Sequence, residues 1–189
     1  VGPVVAGVDL KIAADGEILV RGDLLMKGYW RDDAATSAVI QDGWLHTGDL
    51  GEVDADGFIT ITGRKKDIIV NSGGDNIAPG RVEALLTIEP EIEQAMVDGD
   101  KRPWLAAIIV PSEEVRSLAS SPDALATMVG EAVERANSRL SQLERVRRFI
   151  IADEAFSTEN GQMTATLKVR RHIVGDLYRD RLDALYPQK

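Results

Sequence analysis

Short apolar runs separated by turns fill the first seventy residues of the chain. Two pairs of runs flank Ala14-Asp15-Gly16 and Asp54-Ala55-Asp56-Gly57, and such pairs are typical of β-hairpins. The four runs are residues 4–12, 17–21, 50–53 and 58–62. Residues 67–70 are β-branched and predict another strand, whereas residues 32–40 begin at an aspartate pair and predict a short helix. This part is therefore predicted to be mostly antiparallel β structure.

Beyond residue 78 the apolar positions change to helical spacing, with strands between the helices. Predicted helices begin at Pro79 and at Pro111-Ser112 and cover residues 123–143 and 171–186, and predicted strands cover residues 93–98, 104–110 and 146–152. This mixed order predicts the α+β fold class. A small antiparallel β-rich segment over residues 1–63 is followed by a compact α+β domain over residues 64–189.

Composition and charge narrow the function classes. The chain has 189 residues and a net charge of −9, which argues against nucleic acid as a partner. It has no cysteine and only two histidines, so a thiolate or histidine-based metal site is not expected. No apolar stretch approaches the roughly 18 residues of a membrane helix, and no secretory signal is visible. The chain starts at Val1 without an initiator Met, which favours a piece of a longer protein.

Four polar segments could carry chemistry. In His46-Thr47-Gly48-Asp49 the aspartate follows a glycine turn and could accept hydrogen bonds from a ribose diol. Gly63-Arg64-Lys65-Lys66-Asp67 offers an arginine that could grip phosphate or ribose. Ser72-Gly73-Gly74-Asp75-Asn76 lets the backbone approach a ligand. The segment of residues 164–171 delivers Lys168, whose ammonium could meet a developing negative charge. Each segment taken alone is also explained as a turn or a solvated surface.

The four segments occur in one order, together with Gly28-Tyr29-Trp30 upstream of them. This order resembles the C-terminal third of the adenylate-forming superfamily, which contains acyl-CoA synthetases, luciferases and peptide-synthetase adenylation domains. Arg-Lys-Lys-Asp-Ile-Ile at residues 64–69 and Ser-Gly-Gly-Asp-Asn-Ile-Ala-Pro at residues 72–79 are most similar to long-chain fatty acyl-CoA synthetases. The resemblance covers residues 16–171, nearly the whole chain.

The resemblance implies an acid–thiol ligase that activates a fatty acid with ATP and transfers the acyl group from acyl-AMP to coenzyme A. Asp49 matches the aspartate that holds the ribose hydroxyls, and Arg64 matches a nearby nucleotide contact. Lys66 matches the hinge about which the C-terminal domain rotates between the half-reactions. The resemblance therefore assigns residues 1–63 to the end of a large N-terminal AMP-binding domain, and residues 64–189 to the mobile C-terminal domain with its hinge at residues 64–67.

Two further segments receive roles from the same resemblance. Lys168 matches the catalytic lysine that closes over the adenylation site. Gly73 and Gly74, together with Ser72, match the loop that lines the pantetheine path in the thioester-forming step. Some relatives carry a second lysine six residues after the arginine, but Val70 stands there in this chain, so no role is carried over to it.

Several family features are expected outside these residues, in the N-terminal domain. They are the phosphate-binding loop, the aromatic adenine motif, the Mg²⁺-binding glutamate and the acyl pocket, so the chain alone is expected to be inactive. The expected partners are fatty acid, ATP, CoA and the protein's own N-terminal domain. A cytoplasmic location is expected from the need for ATP and CoA, and peripheral contact with a membrane stays open.

Two alternatives also stay open from the sequence. One is a fatty acyl-AMP ligase that hands its adenylate to an acyl carrier protein. The other is a non-catalytic interaction module on the same scaffold, although Asp49, Arg64, Lys66 and Lys168 all keep side chains that suit the chemistry.

Overall fold

A computed structural model describes residues 1–187 of the chain. The described residues divide into two compact units, the first formed by Val1–Ile68 and the second beginning at Ile69. The division follows the segment of residues 64–67 that the sequence nominates as a hinge. The assignment of residues 1–63 to the end of a larger domain stays a prediction.

The first unit is built on one antiparallel sheet. Its elements are β1 (Gly2–Pro3), β2 (Val8–Ile12), β3 (Glu17–Gly22), α1 (Asp33–Val39), β4 (Ile40–Gln41), β5 (Trp44–Val53) and β6 (Phe58–Arg64). The strands run in the order β1-β6-β5-β3-β2, with β4 paired to β5. Both predicted hairpins are present as β2–β3 and β5–β6. The predicted helix is confirmed, because Asp32 caps α1 by accepting a 2.8 Å hydrogen bond from the Ala35 amide.

The prediction was wrong about where β5 begins. The strand starts at Trp44, six residues before the predicted start, so the Thr47-Gly48-Asp49 segment lies inside a strand and not in a turn between elements. Gly48 has a φ of +69°, and the pairing of β3 with β5 is irregular at this point. The segment is therefore a bulge, in which one left-handed residue interrupts the strand without ending it.

The prediction of a strand over residues 67–70 was also partly wrong. A 3₁₀ turn occupies Lys65–Asp67, and only Ile69–Val70 forms a strand. Lys65 turns back toward acidic side chains near the start of β3, which draws this charged segment out of the extended conformation.

The second unit has the predicted α+β organisation. Its elements are β7 (Ile69–Val70), β8 (Asn76–Ile77), α2 (Pro79–Leu86), β9 (Ile92–Asp98), β10 (Leu105–Pro111), α3 (Glu113–Leu118), α4 (Pro122–Asn137), β11 (Val146–Ile151), α5 (Arg171–Leu177) and α6 (Arg179–Asp183). A three-stranded sheet has the order β11-β10-β9, with β10 parallel to β11 and antiparallel to β9. β7 and β8 form a separate hairpin.

Strand β10 is the centre of the second unit's core. Leu105, Ala107 and Ile109 face one hydrophobic cluster with residues of α2 and α4. The intervening residues face a second cluster, which contains Phe156 and the apolar residues of α5 and α6. Because successive side chains of a strand point to opposite faces, a strand buried on both faces reads as a continuous apolar run.

Two predicted helices end earlier than their apolar pattern suggested. α4 stops at Asn137 because the side-chain amide of this residue bonds to both backbone groups of Val146, at 2.9 and 3.0 Å. The helix predicted over residues 171–186 breaks at Tyr178. From Val174 onward, every fourth residue is buried. In a straight α-helix, side chains four residues apart are rotated by about 40° from one another, so a continuous helix would turn them away from one core. The break keeps Tyr178 and Leu182 in one core.

Candidate functional site

The bulge in β5 presents Asp49 in a fixed orientation. The Thr47 hydroxyl donates a 2.7 Å hydrogen bond to the Ile18 carbonyl and accepts one of 3.1 Å from the Asp49 amide. The Asp49 carboxylate lies 2.7 Å from Nε of Arg64, its cross-strand neighbour. The structure thus brings two of the predicted site residues into one ion pair. Four guanidinium hydrogens and part of the carboxylate can still meet a ligand.

Glu17 is the residue that sequence reasoning missed. Its side chain is only 5% exposed, yet it carries a carboxylate. Oε1 accepts a 2.9 Å hydrogen bond from the Gly48 amide, and Oε2 lies 3.0 Å from both His46 Nδ1 and Lys65 Nζ. Burial opposes ionisation, but the hydrogen bonds from His46, Lys65 and Gly48 together hold the pKa of Glu17 below its ordinary value.

The sequence did contain a weak signal for Glu17. It follows a glycine turn and opens the apolar run Ile18-Leu19-Val20, so an acidic side chain stands at the start of a buried strand. Lys65 completes the network on the other side, because its Nζ also lies 2.6 Å from Oδ2 of Asp15. The carboxylates of Asp15 and Glu17 raise the pKa of this lysine, which keeps it charged.

A cleft of about 670 Å³ lies in the first unit beside this network, and Asp49 is not part of its wall. Glu17, His46 and Gly48 form one part of its wall, and the run Arg64-Lys65-Lys66 forms another. The apolar part of the wall includes Met26, Tyr29, Val39 and Leu45. A cleft with fixed cationic groups and an apolar wall suits an anionic ligand that has a flat or apolar portion.

Lys66 lies just beyond this network. It is exposed within the 3₁₀ turn, and the first unit ends two residues later at Ile68. A short turn at the border of two compact units is the kind of segment that absorbs a hinge rotation. The structure thus gives Lys66 a location compatible with a hinge, and its role stays a prediction.

The Ser72-Gly73-Gly74 segment is the turn of the β7–β8 hairpin in the second unit. Asn71 organises it, because Oδ1 of Asn71 accepts hydrogen bonds of 2.8 Å from the Gly73 amide and 2.9 Å from the Asp75 amide. Gly74 has a φ of +87°, which the hairpin itself requires. The Ser72 amide donates a 2.9 Å hydrogen bond to the carbonyl of Arg102, so the turn is also fixed to the β9–β10 connection.

Lys168 stands at the end of another tight loop in the second unit. Thr164 and Lys168 are joined by a backbone hydrogen bond of 2.9 Å, and the Thr164 hydroxyl accepts one of 3.1 Å from the Lys168 amide. Leu167 has a φ of +58°, a left-handed conformation that costs a leucine on the order of 1 kcal/mol or more. The loop keeps this strained residue and exposes the lysine beside it. Strain maintained next to a charged, exposed side chain is typical of functional loops.

The predicted site residues are divided between the two units. Asp49, Arg64 and Lys66 belong to the first unit, and Gly73, Gly74 and Lys168 lie on two loops of the second unit. Within residues 1–187 no group of three or more histidine or acidic side chains is placed to hold a metal ion. In the same part of the chain, no helix combines the length and apolar character needed to cross a bilayer.

Comparison with known proteins identifies the family. A family model of the AMP-binding enzyme C-terminal domain matches residues 66–189. The chain belongs to this AMP-binding family. The long-chain-fatty-acid–CoA ligase FadD15 of Mycobacterium tuberculosis is 43% identical over 202 residues, which cover 98% of this chain and 34% of the ligase. The long-chain-fatty-acid–CoA ligase ACSBG2 of Gallus gallus is 32% identical over 90% of this chain and 27% of its own length.

Solved structures show the same fold in other adenylate-forming enzymes. The A domain of carboxylic acid reductase from Segniliparus rugosus, solved with AMP and a co-purified carboxylic acid, is 26% identical and has a TM-score of 0.86. The match covers 97% of this AMP-binding chain and 32% of that domain. O-succinylbenzoate coenzyme A synthetase of Bacillus subtilis, solved with AMP, is 30% identical, with a TM-score of 0.71 over 90% of this chain and 34% of the synthetase.

These comparisons confirm the adenylate-forming resemblance and the α+β fold class. This AMP-binding chain spans about a third of the length of the curated relatives that it matches.

Proposed function

We propose that this chain is the C-terminal part of a long-chain fatty acid–CoA ligase that forms acyl-AMP from a fatty acid and ATP. The observation that carries the proposal is the 43% identity to FadD15, a long-chain-fatty-acid–CoA ligase, over 98% of the chain. The site geometry supports it, because Asp49 and Arg64, the residues expected to hold a nucleotide, form one ion pair, and Arg64 also lines the cleft of the first unit.

The first unit would hold the nucleotide. The carboxylate of Asp49 accepts hydrogen bonds from both ribose hydroxyls, a pairing for which its two oxygens are suited. Arg64 holds that carboxylate through Nε and offers its remaining donors to the nucleotide. Because the bulge fixes the backbone before Asp49, the carboxylate needs little reorganisation when the nucleotide binds.

Lys168 would act in the first half-reaction. The attacking carboxylate and the α-phosphate are both anionic, so negative charge accumulates on the phosphorus oxygens in the transition state. The Lys168 ammonium, held on a rigid exposed loop, stabilises that charge. Removing one contact of this kind typically lowers the rate on the order of 100-fold or more.

The second half-reaction would use the other loop of the second unit. After adenylation the second unit rotates at Lys66, Lys168 leaves the reacting atoms, and the Ser72-Gly73-Gly74 turn approaches the adenylate. Gly73 has no side chain, and a Cβ there would lie 3.2 Å from oxygens of Asn71 and Asp75. This exposed, compact turn lets the pantetheine thiol pass close to the backbone.

Magnesium would assist adenylation when bound, by neutralising phosphate charge. The family resemblance assigns its ligands to the N-terminal domain, and the described residues hold no group of three acidic or histidine side chains suited to it. Fatty acid, ATP, CoA and that domain are the proposed partners. A cytoplasmic location is proposed from the supply of ATP and CoA.

The relatives do not favour either alternative. FadD15 and ACSBG2 are both named as CoA ligases. For those two proteins the named acyl acceptor is therefore coenzyme A and not a carrier protein. A non-catalytic module would have no need to keep the Asp49–Arg64 pair and the exposed Lys168 together with the strained loop beside it.

The test is acyl-dependent ATP–pyrophosphate exchange by the full-length protein, with fatty acids of increasing chain length. We expect strong exchange in one range of chain lengths, and acyl-CoA formation only when CoA is added. Residues 1–189 alone serve as the matched control and are expected to form no AMP.

Two results would contradict the proposal. If the full-length protein shows no exchange with any acid, the ligase function fails. If acyl-AMP is released while added CoA is ignored and a carrier protein is acylated, the carrier-protein alternative replaces the CoA route.

A further inference from the structure

Two carboxylates are buried within the described residues, Glu17 in the first unit and Glu89 in the second. Both have a side chain that is 5% exposed, and both face two basic groups. Burying a charge is unfavourable unless hydrogen bonds replace the lost water. Each of these two buried carboxylates must therefore be stabilised by hydrogen-bonding partners within its own unit.

Glu89 is explained by packing within the second unit. It lies 2.6 Å from Nε of Arg135 and 3.0 Å from Nη2 of Arg139. Arg135 lies in the last turn of α4, and Arg139 follows the end of that helix. Because Glu89 lies just after α2, its carboxylate connects the end of α2 to the end of α4. None of these residues belongs to the proposed nucleotide or thiol sites.

Glu17 contacts a different kind of partner. One of its oxygens accepts a hydrogen bond from the backbone amide of Gly48. Gly48 is the left-handed residue of the bulge that carries Asp49. The other oxygen lies 3.0 Å from Nζ of Lys65. In the sequence, Lys65 stands between Arg64 and Lys66, the proposed hinge residue. A single carboxylate thus connects the bulge to the start of the hinge turn.

The geometry points to a role for Glu17 in the reaction itself, and this inference rests on the proposed function. We propose that Glu17 is a positioning residue, which holds the Gly48–Asp49 bulge and the Arg64-Lys65 segment as one rigid nucleotide-holding body. Asp49 and Arg64 then keep their geometry while the chain rotates beyond Lys65. Without the carboxylate, the Gly48 amide and the Lys65 ammonium lose their shared acceptor, and the bulge can relax.

The kinetic test compares Glu17→Gln with Glu89→Gln in the full-length enzyme. Glutamine is nearly the same size as glutamate, but it has one acceptor oxygen for the Gly48 amide and the Lys65 ammonium, and its NH2 group must face one of these two donors. We expect Glu17→Gln to raise the KM for ATP about tenfold or more with a smaller change in kcat, because misplacing a binding group is costly even over short distances. Glu89→Gln removes an equally buried charge and is expected to leave the KM for ATP unchanged.

A structural readout on residues 1–189 separates this inference from the proposed function. Amide hydrogen exchange at Gly48 and Asp49 is expected to accelerate in Glu17→Gln, and to stay at the wild-type rate in Glu89→Gln. If the wild-type enzyme shows no ATP-dependent activity, the proposed function fails, and the exchange rates still decide whether Glu17 holds the bulge.

A milder variant covers the case in which Glu17→Gln does not fold. Lys65→Met removes one partner of Glu17 from a half-exposed position and is expected to raise the KM for ATP about threefold. The inference is overturned if folded Glu17→Gln, or Lys65→Met in its place, keeps both the wild-type KM and the wild-type exchange at Gly48. It is also overturned if Glu89→Gln raises the KM as much as Glu17→Gln does.

Discussion

The two units of this chain differ in what holds them together. Sixteen buried apolar side chains form one core cluster of the second unit, and ten form another. The buried apolar residues of the first unit, within the described chain, are Ile18 and Leu19. The first unit instead exposes large apolar side chains such as Val5, Leu24, Trp30 and Phe58. Within the described residues, strand pairing and the polar network around Glu17 hold this unit together, and its exposed apolar side chains agree with the proposal that residues 1–63 end a larger domain.

This difference separates stability from function. The second unit has a dry core and can carry loops under strain, such as the one at Leu167, because packing elsewhere compensates for them. The first unit has little core within the described residues, so the bulge that carries Asp49 depends on hydrogen bonds to one buried carboxylate.

The largest contrast is expected from core truncations. Ile109→Ala removes a side chain with no exposure from the second unit and is expected to lower the free energy of unfolding by about 3–4 kcal/mol. Ile18→Ala in the first unit is expected to cost about 1–2 kcal/mol in its own unit, since fewer apolar atoms surround it. Urea denaturation, with hydrogen exchange to resolve the two units, measures both. Equal costs would contradict the comparison.

A smaller contrast is expected on acidification. The folded-state pKa of Glu17 lies below its ordinary value of 4.5, so its stabilising contribution is complete above that value and is lost as pH falls through the folded pKa. Asp98 of the second unit behaves oppositely, because burial, opposed by Arg102 and reinforced by Asp100 and Asp183, raises its pKa. Protonation of Asp98 on acidification therefore stabilises its unit.

The measurement is amide exchange from pH 7 down to about pH 3, corrected for intrinsic rates. Gly48 and its neighbours are expected to lose protection before strands β9 and β10 do. His46 and Lys65 contact the Glu17 carboxylate, and Asp15 contacts Lys65, so Glu17→Gln is the control that should abolish the early loss at Gly48. Simultaneous loss of protection in both units would contradict the prediction.

Elements set by local signals could be predicted from the sequence. The β2–β3 hairpin follows from Asp15-Gly16, the start of α1 from Asp32, and the start of α2 from Pro79. The family motifs also nominated Asp49 and Arg64, although their ion pair follows from the register of β5 and β6, which the sequence does not display.

Elements that depend on distant partners could not be predicted. Glu17 is buried because its donors come from positions 29, 31 and 48 residues later in the chain. The bulge at Gly48 depends on the same carboxylate, and its Thr-Gly-Asp sequence looks like an ordinary turn. The break at Tyr178 is set by packing. The hydroxyl of Tyr178 accepts a 2.9 Å hydrogen bond from the Asp153 amide, and its ring lies in the core.

The central claim is that Lys168 serves adenylation while the first unit holds the nucleotide in both half-reactions. The most direct test measures the two half-reactions separately in full-length Lys168→Ala, with the exposed Lys27→Ala as the control. We predict that ATP–pyrophosphate exchange falls on the order of 100-fold or more, while thioester formation from supplied acyl-adenylate and CoA stays within about threefold of wild type. An equal fall in both half-reactions, or no fall in either, would contradict the account.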